Sequence, residues 1–145
     1  MNLIEKKIMD EYIHQYRVEA ESYKMMGKML DVSFVQRRLD QYNLSDLYLY
    51  GGTYLAAQFC RSSENRVNVK GIVDKNGRSV ALVNVPILAM NDLKELYQDE
   101  MIIITPPRFY REIKVELLEF VKENNIIFLG EFLEGLNETN DLYNI

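Results

Sequence analysis

Apolar residues between Leu3 and about Leu30 recur in alternating steps of four and three: Met9, Ile13, Tyr16, Ala20, Tyr23, Gly27 and Leu30. That spacing gathers them on one stripe of an α-helix. Gly27 weakens the helix near its end, by roughly 1 kcal/mol relative to alanine. Asp31 or Ser33 can cap a second helix that carries Phe34, Val35, Leu39 and Tyr42. Asn43 and Ser45-Asp46 then punctuate the chain before the pattern changes.

Leu47–Tyr50 is a short β-type run that stops at Gly51, and Tyr54 to Cys60 has a helical pattern. A polar loop, RSSEN, precedes a second strand from Val67 to Val73, which ends at Asp74. Asn76-Gly77 is turn chemistry suited to positive φ. A third strand is expected over about Ser79 to Val83, then irregular chain around Pro86 and a short helix opened by Asn91 or Asp92 and reaching Tyr97. Met101 to Thr105, MIIIT, is a continuous apolar strand of the kind buried on both faces. Thr105-Pro106-Pro107 ends it and begins a helix to about Glu123, with Phe109, Ile113, Leu117, Phe120 and Val121 facing inward. A last buried strand covers Ile126 to Leu129, and the polar tail comes after it.

The order from Leu47 is therefore β-α-β-β-α-β-α-β. Right-handed crossovers place such units in a mostly parallel sheet with helices on both faces. The fold expected is α/β, a small Rossmann-like sheet preceded by N-terminal helices. The chain divides into three segments: an N-terminal helical segment at 1–43, the α/β domain at 44–133 and a polar tail at 134–145.

Composition narrows the function classes. A net charge of −5, with Lys6-Lys7 and Arg37-Arg38 the only adjacent basic pairs, argues against nucleic acid, because phosphate neutralisation needs clustered cations. The single cysteine, Cys60, excludes an intramolecular disulfide and a Cys-rich metal site, and it fits a reducing cytoplasm. No apolar run approaches the roughly 18 residues of a membrane-spanning helix, and the N-terminus lacks an apolar signal core. A cytoplasmic protein without membrane insertion is expected.

Candidate chemistry centres on Gly51-Gly52-Thr53. A dinucleotide-binding βα turn uses three small residues: one for the tight turn, one for close approach to a pyrophosphate, one for helix–strand packing. Gly51 takes the first place and Ala56 the third, while Thr53 stands in the second, with Gly52 beside it. Thr53 can cap the helix and meet a single phosphate at its N-terminus. Asp74 ends the second strand 23 residues after Gly51, near the usual interval of about 20 for a carboxylate that holds ribose hydroxyls. Thr105 ends the buried strand, at the edge where open α/β sheets bind ligands, and Arg108 one turn on can meet a phosphate. The alternative is structural: a strand–helix corner at Gly51, a turn at Asp74, a helix cap at Thr105 and a solvated arginine.

The stretches LYLYGGTYLA, VKGIVDKNGRSVALVNVPILAMNDLKEL, MIIITPPRFYREIKVEL and NIIFLGEF together resemble a small Rossmann-like domain of bacterial surface-polysaccharide and sugar-nucleotide enzymes. Similar domains accompany sugar-nucleotide dehydratases, sugar acyltransferases and sugar methyltransferases. The shared course is matched at Gly51, at Gly71-Ile72-Val73-Asp74, at Val85-Pro86 and at Ile104-Thr105. The resemblance covers about Leu44 to Leu133 and implies a nucleotide or nucleotide-sugar near Gly51, Gly52, Thr53 and Asp74, with NAD(P) a further candidate. It carries no catalytic half, so an accessory or regulatory binding role is expected.

Other constellations are weaker. Tyr110 and Lys114 have the Tyr-x-x-x-Lys spacing with which short-chain dehydrogenases lower a tyrosine pKa, but ten tyrosines in 145 residues produce such a match by chance. A small NAD(P)-dependent oxidoreductase and a ligand-free interaction module remain the alternatives. His14, the single histidine, has no partners for a triad or zinc site. Cys60 reads as a buried structural thiol. The N-terminal stripe either packs on its own domain or pairs with a second chain, and a homodimer through that helix is expected.

Overall fold

The computed structural model describes residues 1–75 and 83–134. The Asn76-Gly77 turn, nearly all of the strand expected at 79–83 and the tail beyond Glu134 lie outside the described residues. Two helices open the chain: α1 (Leu3–Met29) and α2 (Val32–Tyr42). The alternating unit comes next: β1 (Asp46–Tyr50), α3 (Tyr54–Ser62), β2 (Asn68–Val73), β3 (Ile87–Leu88), α4 (Met90–Leu96), β4 (Met101–Ile104), α5 (Tyr110–Leu117), β5 (Ile126–Phe128) and α6 (Leu129–Glu134).

The five strands form one parallel sheet in the order β3-β2-β1-β4-β5. Alternate side chains of each strand enter opposite layers. Leu47, Leu49, Ile72, Ile103 and Phe128 pack with α1, α2, α3 and α6 through Met25, Met29, Val35, Leu39, Leu55, Phe59 and Phe132. Tyr48, Tyr50, Val73, Ile102 and Ile104 pack on the other face with Leu93 of α4 and Leu117 of α5. Burial on both faces is the physical reason the central strands are continuous apolar runs rather than alternating ones.

Polar side chains cap the first two helices. Asn2 Oδ1 accepts from the Glu5 N–H at 2.8 Å, and Asp31 Oδ1 accepts from the Phe34 N–H at 3.1 Å. Three elements differ from expectation. Strand β3 sits at Ile87–Leu88, immediately after Pro86, in place of the expected irregular chain. Helix α5 begins at Tyr110 rather than at the prolines, because Pro107 disfavours helical geometry at Pro106 and Phe109 adopts a left-handed φ of 65°. Phe109 is consequently 59% exposed instead of inward-facing, and the helix ends at Leu117. Helix α6, which no sequence pattern announces, continues directly from β5 and buries Phe132 and Leu133.

Of the two readings of the α1 stripe, packing on its own domain is not the one adopted. The helix meets its own domain through Ser22, Met25 and Met29, with Ser62 Oγ of α3 donating to Met29 O at 2.5 Å. Lys24 and Lys28 reach Glu134 of α6 at 3.1 and 2.7 Å, and these hydrogen bonds hold the Glu134 carboxyl well below the usual carboxylate range against the effect of burial. The stripe from Met9 to Leu30 lies on the opposite side, with Tyr16, Tyr23 and Leu30 about two-thirds exposed.

Candidate functional site

Strand register brings three of the singled-out residues level. Tyr50 is paired with Val73 on one side and Ile104 on the other, so Asp74, Gly51 and Thr105 stand side by side just past the ends of β2, β1 and β4. The ladder runs one step beyond the strands: Gly51 N–H donates to Val73 O at 2.8 Å and Thr105 N–H to Tyr50 O at 2.9 Å. Asp74 N–H donates to Leu88 O at 2.9 Å, which ties the end of β2 to β3. Strand order reverses between β1 and β4, so this carboxyl edge is the topological switch point, where open α/β sheets bind ligands.

The turn from β1 into α3 is built for tightness. Gly51 has φ +107°, a conformation that side-chain-bearing residues rarely adopt. A Cβ there would stand 2.6 Å from Pro106 Cδ and 2.7 Å from Thr105 Oγ1, so the neighbouring turn also demands glycine. Thr53 is the N-cap residue of α3 with extended backbone, and its side chain makes no capping hydrogen bond. Its Oγ1 is buried and has no hydrogen-bond partner among the described residues. A buried hydroxyl in that state carries a desolvation cost that an acceptor or donor from outside would remove. The first turn of α3 adds the positive end of a helix dipole at the same place.

Thr105 behaves differently. It is fully buried, and its hydroxyl reaches the carbonyl oxygens of Tyr50 at 3.0 Å and Gly51 at 3.2 Å. Those are protein acceptors, so the Thr105 hydroxyl fastens the two turns together instead of facing the edge. Arg108 is exposed, with its guanidinium 4.9 Å from the centroid of the Phe109 ring. No sequence pattern signals that stacked pair or the left-handed Phe109.

The Tyr110–Lys114 pair does not form the arrangement that its spacing suggests. Tyr110 packs on Phe128 at 4.9 Å between ring centroids, and Lys114 Nζ is 3.3 Å from Glu123 Oε1. Burial, then Glu131 and Glu123, push the Tyr110 phenol up to about 12, the opposite of what proton transfer from tyrosine requires. Burial likewise pushes the Cys60 thiol up to about 11, leaving it a protonated thiol at neutral pH. His14 is exposed on the outer half of α1. Among the described residues, no group of three or more His, Cys, Asp and Glu side chains is arranged to hold a metal, and no helix is long and apolar enough to cross a membrane.

A concavity of about 310 Å³ opens at the other edge of the sheet, between Asn43, Asp46, Asp99, Glu100 and Asn125. Its polar groups are occupied by one another. Glu100 Oε2 accepts from Lys70 Nζ at 2.6 Å, Glu100 Oε1 accepts from the Gln98 N–H at 2.6 Å, and Asn125 Nδ2 is 3.3 Å from both Tyr97 OH and Asp99 Oδ1. Burial raises the Glu100 carboxyl, but the hydrogen bonds from Lys70 and from backbone N–H groups outweigh it and hold the group below its ordinary range. This edge is a laced surface that fastens the amino ends of β1 and β4. Against protein-family models, curated proteins and solved structures, the chain has no match.

Proposed function

We propose that this chain binds a nucleotide or nucleotide-sugar at the carboxyl edge of β1 and β2. In this reading it serves as an accessory or regulatory domain in bacterial polysaccharide or sugar-nucleotide metabolism, in the cytoplasm and as a homodimer through α1. The observation that carries the ligand is the buried, unpartnered Thr53 hydroxyl at the N-terminus of α3. Gly51, required by its φ of +107°, turns the backbone sharply into Gly52 and Thr53, which face phosphate. Asp74, one strand away and level with Gly51, takes the ribose hydroxyls. Thr105 contributes by fixing the Gly51 carbonyl rather than by touching the ligand.

A thermal-shift screen against NAD, NADP, S-adenosylmethionine and UDP-, GDP- and CDP-sugars tests this reading. A ligand at about 100 times its dissociation constant adds roughly 2.7 kcal/mol, a rise of about 5–15 °C in Tm for a domain of this size. Asp74→Ala and Thr53→Val each reduce that rise, and the loss of a hydrogen bond to a charged group corresponds to roughly 1.5–3 kcal/mol for Asp74. A second reading, a ligand-free interaction module, draws on the packing of Pro106 against Gly51, which accounts for the glycine without any phosphate. A flat response across the panel selects it.

A further inference from the structure

We infer that the outward stripe of α1 is a homodimer seam in which two copies of the helix pair antiparallel, centred near residue 18. The inference rests on the dimer reading above and adds its geometry. Every residue from Met1 to Arg17 is exposed, and Met9, Ile13 and Tyr16 on the stripe and Tyr12 beside it are large and apolar. Tyr12, Tyr16 and Tyr23 are each about two-thirds exposed or more. With aromatic side chains of roughly 150–250 Å² each, the outward face offers on the order of 800 Å², one partner's share of a standard interface.

The seam's own spacing selects a second copy and its direction. Met9, Tyr16, Tyr23 and Leu30 alternate with Ile13, Ala20 and Gly27 in a regular heptad. Antiparallel pairing sets Tyr16 against Ala20, Met9 against Gly27 and Ile13 against Tyr23, so large side chains meet small ones twice in each copy. Parallel pairing sets Tyr16 on Tyr16 and Tyr23 on Tyr23, and leaves the two glycines facing each other. Gly27 has nothing within 4 Å of where a Cβ would stand, so no contact within the chain demands the glycine that weakens this helix. A side chain from a second copy fills that space. The flanking charges do not choose a direction: antiparallel pairing brings Asp10 beside Lys24 of the other copy, while parallel pairing brings Glu19 beside Lys24 and Glu5 beside Asp10. Two like-charge contacts, Arg17 with Arg17 and Glu19 with Glu19, fall at the exposed rim on the axis, where each counts for little.

The test combines mass and distance on the full chain. Sedimentation equilibrium at micromolar concentration returns twice the 17.1 kDa chain mass. Tyr16→Glu, at the centre of the seam and away from the domain, weakens the dimer by roughly 30-fold or more, the loss of a central aromatic anchor. Spin labels on Lys7→Cys in a Cys60→Ala background lie roughly 33 Å apart, since position 7 of one helix is level with position 29 of the other at 1.5 Å per residue. A dimer with labels near the helix spacing of about 10 Å overturns the antiparallel seam and leaves the dimer reading standing. A monomer overturns both, including a monomer whose α1 gains amide protection only on anionic lipid vesicles. A dimer unmoved by Tyr16→Glu places the interface elsewhere and also overturns the seam.

Discussion

Two turns leave the carboxyl edge of the sheet side by side, and each carries a threonine whose surroundings are opposite. In the β1–α3 turn the Thr53 hydroxyl is buried and has no partner among the described residues, and two glycines precede it. In the β4–α5 turn the Thr105 hydroxyl engages the carbonyls of Tyr50 and Gly51, two prolines stiffen the chain after it, and Phe109 is held at positive φ. One turn therefore acts as the brace and the other as the surface the brace holds in place. A shared position at a switch point does not make two residues equal ligands. The hydrogen bonds already made decide which group has capacity left.

The comparison can be broken most directly at Gly51, where both turns touch. Gly51→Ala combines an unfavourable φ with a Cβ driven into Pro106 and Thr105, so urea unfolding should show a loss of roughly 2–4 kcal/mol. If stability is retained, the brace is not rigid. Thr105→Val keeps the shape but removes the hydroxyl from two carbonyls, and the expected cost is about 1–3 kcal/mol. The same change at Thr53 removes no hydrogen bond among the described residues and relieves the cost of burying the hydroxyl, so stability should hold or rise by up to about 2 kcal/mol. Equal losses at the two threonines would erase the distinction between brace and surface. Phe109→Gly relieves the left-handed φ of an exposed side chain and should raise stability by about 1 kcal/mol. A fall in stability would mean that Phe109 packs more than its exposure suggests.

The elements of the sheet are legible in the sequence where apolar runs have an unambiguous period. Leu47–Tyr50 and Met101–Ile104 read as buried strands because they sit at the centre of the sheet, covered on both faces. Ile87–Leu88 does not, because two residues beside Pro86 carry no period and become a strand only by pairing with Ile72 and Val73. Helix α6 escapes sequence reasoning for a related cause. Leu129 to Glu134 is too short to declare a helical repeat, and its burial of Phe132 depends on α1, α2 and α3 already being there. The Tyr110–Lys114 spacing illustrates the converse: a matching interval on one helix says nothing about the burial of the phenol, against Phe128 among others, or about Glu131 and Glu123, which raise the tyrosine's proton affinity from other segments.

Local patterns along the chain set the α/β class, the succession of β1, α3, β2, α4, β4, α5 and β5, the glycine corner after β1 and the interval that carries Asp74 to the same edge. Each of these is local: period, cap and turn chemistry act within a few residues, and crossover handedness does the rest. Tertiary structure alone decided which side of α1 turns inward. That helix has apolar residues on two sides, and local periodicity cannot rank Met25 and Met29 against Tyr16 and Tyr23. It likewise decided that Thr105 fastens while Thr53 stays open, since a hydroxyl's role depends on acceptors that strands distant in sequence bring within 3.2 Å. Long-range register, which no window of sequence contains, sets those distances.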